Sequence, residues 1–149
     1  MAEGFGMGVM GWSPMAAGIL TGKYQRGEKG RATELKASVR HADNPDNDAA
    51  IAAVTAVADE VGAKPGQVAV AWVRAKGVLP IVGTRTEAQL TDHLAALDVR
   101  LNNDQIRRLD TAATITLGYP HDLNRSPEQR TVMTGGRFDQ IDYPTHVVA

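Results

Sequence analysis

Cysteine is missing from all 149 residues, which excludes disulfides and thiolate metal sites and fits a reducing compartment such as the cytoplasm. An excess of charge of one sign is lacking as well. Sixteen Lys and Arg stand against seventeen Asp and Glu for a formal net charge of -1, and the two signs are interspersed along the chain. No long-range field therefore gathers nucleic acid or an anionic membrane surface. Long hydrophobic runs are also missing: the opening MAEGFGMGVMGWSPM has no basic n-region and is interrupted by glycines and a proline. That pattern excludes a signal peptide or a membrane span there. The histidines at positions 41, 93, 121 and 146 have no metal-ligand spacing, so no metal is expected. A cytoplasmic protein without nucleic-acid or membrane partners is the expectation.

What is present is the composition of a globular domain, with 43% hydrophobic and 22% charged residues. Residues 7–12, MGVMGW, form a short apolar run that ends at Ser13-Pro14, as a strand leaving a sheet does; its apolar character suggests a parallel strand covered on both faces. Residues 18–47 are polar, rich in Gly, Lys, Arg and Asp and without a period, which predicts a long functional excursion. Over 48–61 the residues Ile51, Val54, Val57 and Val61 recur at helical spacing and Gly62 follows as the stop. A second helix is predicted over 65–76, with Pro65 in its first turn, Val68, Ala71, Trp72 and Ala75 on its buried face and Gly77 after it. The apolar run at 78–83, VLPIVG, reads as a second strand. Thr86 then caps a helix over 86–98 carrying Leu90, Leu94 and Leu97, and Asn103 caps one over 103–113 carrying Ile106 and Leu109. The remainder, 114–149, is rich in turn formers and is expected as an extended or partly helical tail. Strand, helix, helix, strand, helix describes a crossover joining two parallel strands, so the fold class is α/β.

Four segments carry a resemblance: GMGVMGWSPMAAGILTGKY at 6–24, KPGQVAVAWV at 64–73, LPIVGTRTEAQLTDHLAAL at 79–97 and LGYPHDL at 117–123. In this order and spacing they are similar to the aldo-keto reductase family. The resemblance implies a partial (β/α)8 TIM barrel. Residues 1–149 would be its C-terminal portion, the last two β/α units, with 114–149 as the tail, whereas a whole barrel takes roughly 250 residues. It also implies NADP(H) as cofactor. Trp12 matches the aromatic that stacks on the nicotinamide, and Ser13, Pro14, Met15, Gly18 and Lys23 match the segment that crosses the pyrophosphate. Gly83, Thr84 and Arg85 match the turn into a helix N-terminus, where an anion is favoured, with Arg85 the partner of the 2'-phosphate. Gln89, Asp92 and His93 match positions at the adenosine end and fall on adjoining helix surface. The family more often has Asn at His93, and an imidazole cannot copy the donor and acceptor pattern of an amide.

Plainer readings stay open beside these: Trp12 as a core residue, Lys23 as a solvated lysine, and His93 as a half-buried helix residue next to Leu90 and Leu94. Reduction of a carbonyl by hydride creates an oxyanion that needs a proton donor. Relatives supply it from a Tyr, Lys, Asp and His tetrad on earlier strands, which nothing here matches, and no catalytic residue is assigned. Tyr24, Tyr119 and Tyr143 are the only tyrosines; Lys23 and Tyr24 are neighbours whose side chains on an extended segment point to opposite sides. His121-Asp122 has no serine nucleophile context. The implied activity is NADPH-dependent reduction of aldehydes or ketones, with a carbonyl substrate only if the rest of a barrel is supplied. The alternative is a non-catalytic nucleotide-binding or interaction module. Two strands cannot bury both sheet faces, so self-association or pairing with an N-terminal half is a further expectation.

Overall fold

The computed structural model describes residues 2–30, 45–112 and 118–141. They divide into two compact units, one over Ala2–Thr114 and one beginning at Ile115. In the first, β1 (Met10–Trp12) pairs in parallel with β2 (Leu79–Ile81), in the register Met10↔Leu79, Gly11↔Pro80 and Trp12↔Ile81. Both strands are shorter than their apolar runs, because a ladder of this length ends where Ser13 and Val82 turn out of register. The helices are α1 (Pro45–Val61), α2 (Pro65–Ala75), α3 (Glu87–Leu94) and α4 (Asn103–Thr111). Single 3-10 turns cover Glu3–Phe5, Ala16–Thr21 and Ala95–Leu97. The predicted excursion over 18–47 is thus partly ordered: its start is a turn, its end is the beginning of α1, and the rest lies outside the described residues.

Each helix end has a local cause. Gly62 adopts φ +66 and lets the Ala63 amide return to the Ala58 carbonyl at 3.0 Å, closing α1. Pro65 then opens α2, its preset φ suited to the first turn. Thr86 accepts from the Gln89 amide at 3.2 Å to cap α3. The cap of α4 is Asn102 and not Asn103: Asn102 accepts from the Gln105 amide at 2.9 Å while the Gln105 side chain receives the Asn102 N–H at 3.0 Å. That reciprocal box needs the amide-bearing residue three positions on, which only Asn102 has.

The core is the seam between α1, α2 and α4. Val54, Val57, Ala58, Val68 and Leu109 form it, with Leu20, Trp72, Val99 and Leu101 packed around it. Buried Ile51, Val54 and Val57 follow the predicted stripe of α1. On α2 the expected stripe is corrected: Ala69 and Val70 are buried beside Val68 and Ala71, whereas Ala75 is exposed. This short helix is enclosed by the 3-10 turn, α1 and β2 on different sides. Polar clamps frame the seam. Trp72 Nε1 donates to Asp110 Oδ1 at 2.8 Å and Lys76 pairs with Asp110 at 2.5 Å. Arg108 pairs with Glu60 at 2.7 Å, and Gln105 donates to the same carboxylate at 3.2 Å.

One face of the sheet differs from expectation. Gly11 is close-packed, since a Cβ there would lie 3.0 Å from Val78 Cγ1 and 3.4 Å from Val73 Cγ1. Met10, Trp12, Leu79 and Ile81, which share the opposite face by register, are exposed. The strands are covered on one face and not on both. Leu90, Leu94 and Leu97 are exposed as well.

In the second unit, α5 (His121–Arg125) and α6 (Pro127–Thr134) are followed by a 3-10 turn over Phe138–Gln140. The described part of the tail is therefore helical rather than extended. Ser126 explains it, capping α6 through the Gln129 amide at 3.0 Å ahead of Pro127. No helix among the described residues is long and apolar enough to cross a membrane.

Candidate functional site

Parallel pairing with Trp12 opposite Ile81 brings the ends of both strands to the same edge of the sheet, about 4.8 Å apart. The loops that leave them therefore start side by side. The first turns sharply. Ser13, Ala16 and Ala17 hold φ of 58, 49 and 55, a left-handed conformation that costs a non-glycine residue about 1–3 kcal/mol. Hydrogen bonds hold the turn in this shape: Ser13 Oγ accepts from the Ala17 amide at 3.1 Å, Thr21 Oγ1 donates to the Gly18 carbonyl at 2.7 Å, and the Tyr24 hydroxyl donates to the Ala17 carbonyl at 2.8 Å. The turn rests on α2 where Gly66 leaves space, a Cβ there lying 3.2 Å from Met15 Sδ. The second loop runs from Val82 to the cap of α3, and the Gln89 side chain accepts from the Arg85 amide at 2.8 Å.

Between the loops lies a cavity of about 400 Å3, within the ordinary range for ligand pockets. Its lining contains Trp12, Ser13, Pro14, Met15, Gly18 and Lys23 from the first loop and Gly83, Arg85, Gln89 and His93 from the second strand exit and α3. The structure thus brings together all the residues singled out in the sequence except Thr84 and Asp92. Asp92 is turned toward α2, where its carboxylate pairs with Lys64 at 2.5 Å and accepts from Gln67 at 3.1 Å. Gln89 and His93, a full turn apart, line the cavity, whereas Asp92 on the adjoining helix surface is engaged by Lys64 and Gln67. Sequence reading missed Ala17, Thr21, Lys29, Gly30, Ile81 and Val82, which also line the cavity. Lys29-Gly30 stands inside the polar excursion with no periodic signal to mark it.

The plainer alternatives can now be weighed against positions. Trp12 is 74% exposed, so it is no core residue; Trp72 is the tryptophan that packs on the core. Lys23 is half-buried, with its ammonium 5.0 Å from the centre of the Tyr24 ring. Here the expectation of opposite-pointing side chains fails, because the segment is a run of turns and not an extended strand. His93 is half-buried and also lines the cavity, its Nδ1 enclosed without a hydrogen-bond partner.

Electrostatically the cavity is one-sided. Lys23, Lys29 and Arg85 line it, and among the described residues no Asp or Glu does. On a chain of net charge -1 this is a local concentration of positive charge, suited to a ligand with several negative charges. At least two chemistries meet there, since Trp12, Ile81 and Val82 add apolar surface. The shifted carboxyls lie elsewhere, in the clamps at the core seam. Hydrogen bonds from Arg108 and Gln105 hold Glu60 below the usual carboxylate range. Burial pushes Asp110 up, but hydrogen bonds from Lys76 and Trp72 outweigh it and leave Asp110 lowered. Among the described residues no group of three metal-ligating side chains occurs.

Residues 1–114 match the model of the Aldo/keto reductase family. The chain belongs to that family. It is 34% identical over 111 residues to an uncharacterized oxidoreductase of Bacillus subtilis, covering 73% of this chain and 33% of that protein. A putative aryl-alcohol dehydrogenase of Saccharomyces cerevisiae is 31% identical over 125 residues, covering 80% of this chain and 82% of the yeast protein. Pyridoxal reductase of Arabidopsis thaliana chloroplasts is 29% identical over 113 residues, 76% of this chain and 30% of that protein. The chain spans about a third of the length of the Bacillus and Arabidopsis relatives and most of that of the yeast one. In an aldo/keto reductase, two parallel strands with their helices are consistent with part of a (β/α)8 barrel, whose sites sit at the C-terminal ends of the strands. The cavity here opens at that end of β1 and β2.

Proposed function

We propose that this chain binds NADP(H) across the two strand exits and forms the cofactor-holding part of an NADPH-dependent reduction of aldehydes or ketones. One observation carries the reading: Trp12 and Arg85, far apart in sequence, line a single cavity together with Lys23, and among the described residues no carboxylate lines it. Trp12 offers a flat exposed face for the nicotinamide. Ser13, Pro14, Met15 and Gly18 bring backbone close to a diphosphate, and Lys23 adds a positive charge to it. Arg85, a planar guanidinium at the start of α3, suits the 2'-phosphate. Gln89 and His93 are left to the adenosine end, and Asp92 serves structure instead, through Lys64 and Gln67. When bound, the cofactor supplies the hydride; the residues of this chain orient it and shield one face of its ring. Relatives named pyridoxal reductase and aryl-alcohol dehydrogenase support carbonyl and alcohol interconversion as the reaction class.

A second reading, a nucleotide-binding or interaction module without turnover, is favoured by the position of Tyr24. Tyr24 spends its hydroxyl on the Ala17 carbonyl and does not line the cavity, so it is not placed as proton donor there. The outer edges of β1 and β2 are where strands from an N-terminal half or a second copy would pair, enclosing the exposed face of Met10, Trp12, Leu79 and Ile81, and a carbonyl substrate would be reduced only in such an assembly. Titration with NADPH, followed by quenching of Trp12 fluorescence and run beside a carbonyl reduction assay, separates the two. Quenching that Trp12→Phe abolishes, without turnover, supports the module; with turnover it supports the reductase. Absence of saturable binding refutes both.

A further inference from the structure

The ammonium of Lys23 is held in place by glycines. A Cβ built at Gly18 would lie 2.8 Å from Lys23 Cε and 3.1 Å from its Nζ. One built at Gly30 would collide with Nζ itself, 2.8 Å from Cε and 2.9 Å from the Tyr24 hydroxyl. The side chain therefore passes between two glycine backbones and ends over the Tyr24 ring, with Nζ 5.0 Å from its centre, a distance at which a cation is attracted by the ring face. Tyr24 is fixed in turn by its hydrogen bond to Ala17, in the strained turn of the cavity. Lys23 makes no ion pair among the described residues, and Lys23, Gly18 and Gly30 all line the cavity. A lysine packed this closely has given up rotamer freedom, with a ring face in return.

We infer that Gly30 is a positioning residue: together with Gly18 and Tyr24 it aims the Lys23 ammonium into the cavity as a pre-set diphosphate-binding cation. The inference rests on the dinucleotide reading but narrows it to one subsite and to a residue without a side chain of its own to offer the ligand. Gly30 is the informative member of the pair. Gly18 has φ +94, so any side chain there strains the backbone, whereas Gly30 is not in the left-handed region and the nearest atoms to a Cβ there belong to Lys23 and Tyr24. Two of these atoms are the far end of a flexible lysine, which can swing aside, and the third is the Tyr24 hydroxyl, so Gly30→Ala displaces the charge together with the ring it rests on.

The test is a double-mutant cycle read with inorganic pyrophosphate and, separately, with NADP+, on wild type, Lys23→Met, Gly30→Ala and the double variant. Thermal melting of each checks that the fold is kept. Pre-aiming predicts that each single change weakens pyrophosphate by about tenfold, the scale of one charge-assisted contact, and that the double variant is no weaker than Lys23→Met alone. Pyrophosphate affinity unchanged in Gly30→Ala, or lowered by the same factor whether or not Lys23 is present, overturns the inference. Pyrophosphate bound with the predicted cycle while NADP+ is not bound supports this subsite and sinks the dinucleotide reading. NADP+ bound equally by all four chains does the reverse.

Discussion

Replacing Arg85 by alanine should change the discrimination between NADP+ and NAD+ and leave the fold alone. The two dinucleotides differ only in the 2'-phosphate, so any group that reads this phosphate affects one and not the other. Arg85 lies at the rim of the cavity and is exposed, which sets the magnitude. Two unit charges 4 Å apart attract by about 1 kcal/mol in water and by about 4 kcal/mol at an effective dielectric constant of 20. An exposed guanidinium belongs near the lower value, and a phosphate monoester carrying nearly two charges roughly doubles it. About 2 kcal/mol results, or about 30-fold in Kd, for NADP+ alone. The NAD+ affinity should fall less than about twofold, because no contact to the shared parts of the molecule is lost. Lys23→Met is the reciprocal control: under the proposed reading it faces the diphosphate, common to both, and the change should weaken them equally. Calorimetric titration of both dinucleotides into the three chains is sufficient. Equal loss of NADP+ and NAD+ in Arg85→Ala, or no loss of either, would refute the assignment of Arg85 to the phosphate.

Three further outcomes test the scaffold beneath the site. Val57 is fully buried in the α1, α2 and α4 seam, and Val57→Ala should cost about 2–3 kcal/mol in urea unfolding, from two methyl groups and the cavity they leave; an unmoved midpoint would mean the seam is not the core. Asn102→Ala should cost about 1 kcal/mol, with Asn102→Ser recovering most of it, since the side chain caps α4 by accepting from the Gln105 amide. Acid should weaken the fold through Asp110 and Glu60, both lowered in the folded chain. Their contribution is complete above the ordinary carboxylate pKa of about 4 and is lost as pH falls through their lower folded values. Urea midpoints between pH 7 and pH 2 should therefore drop, less steeply in Asp110→Asn; a parallel drop in that variant would remove Asp110 from the account.

Much of the fold could be read locally. The stripe of Ile51, Val54 and Val57, the stop at Gly62, the proline at the start of α2 and the cap at Thr86 are each set by a handful of adjacent residues. The errors lie where neighbours in space decide. Helical spacing puts Asp92 next to Gln89 and His93, but its ion pair with Lys64, just ahead of α2, takes its carboxylate out of the cavity lining. Lys23 and Tyr24 were assigned to opposite sides on the assumption of extended backbone, and the chain there is a series of turns. Trp12 could not be told from a core tryptophan by composition; only its exposure separates it from Trp72.

Helix positions, their caps and stops, the apolar strand runs and the kinship of this chain were all determined by sequence alone, because each is expressed within a few consecutive residues. Tertiary structure alone decided that the exits of β1 and β2 meet, that Lys23, Lys29 and Arg85 converge on one cavity, and that Gly30 bounds the lysine. These depend on the parallel register of Trp12 with Ile81. Pairing between strands so far apart in the chain leaves no trace in the local pattern of either.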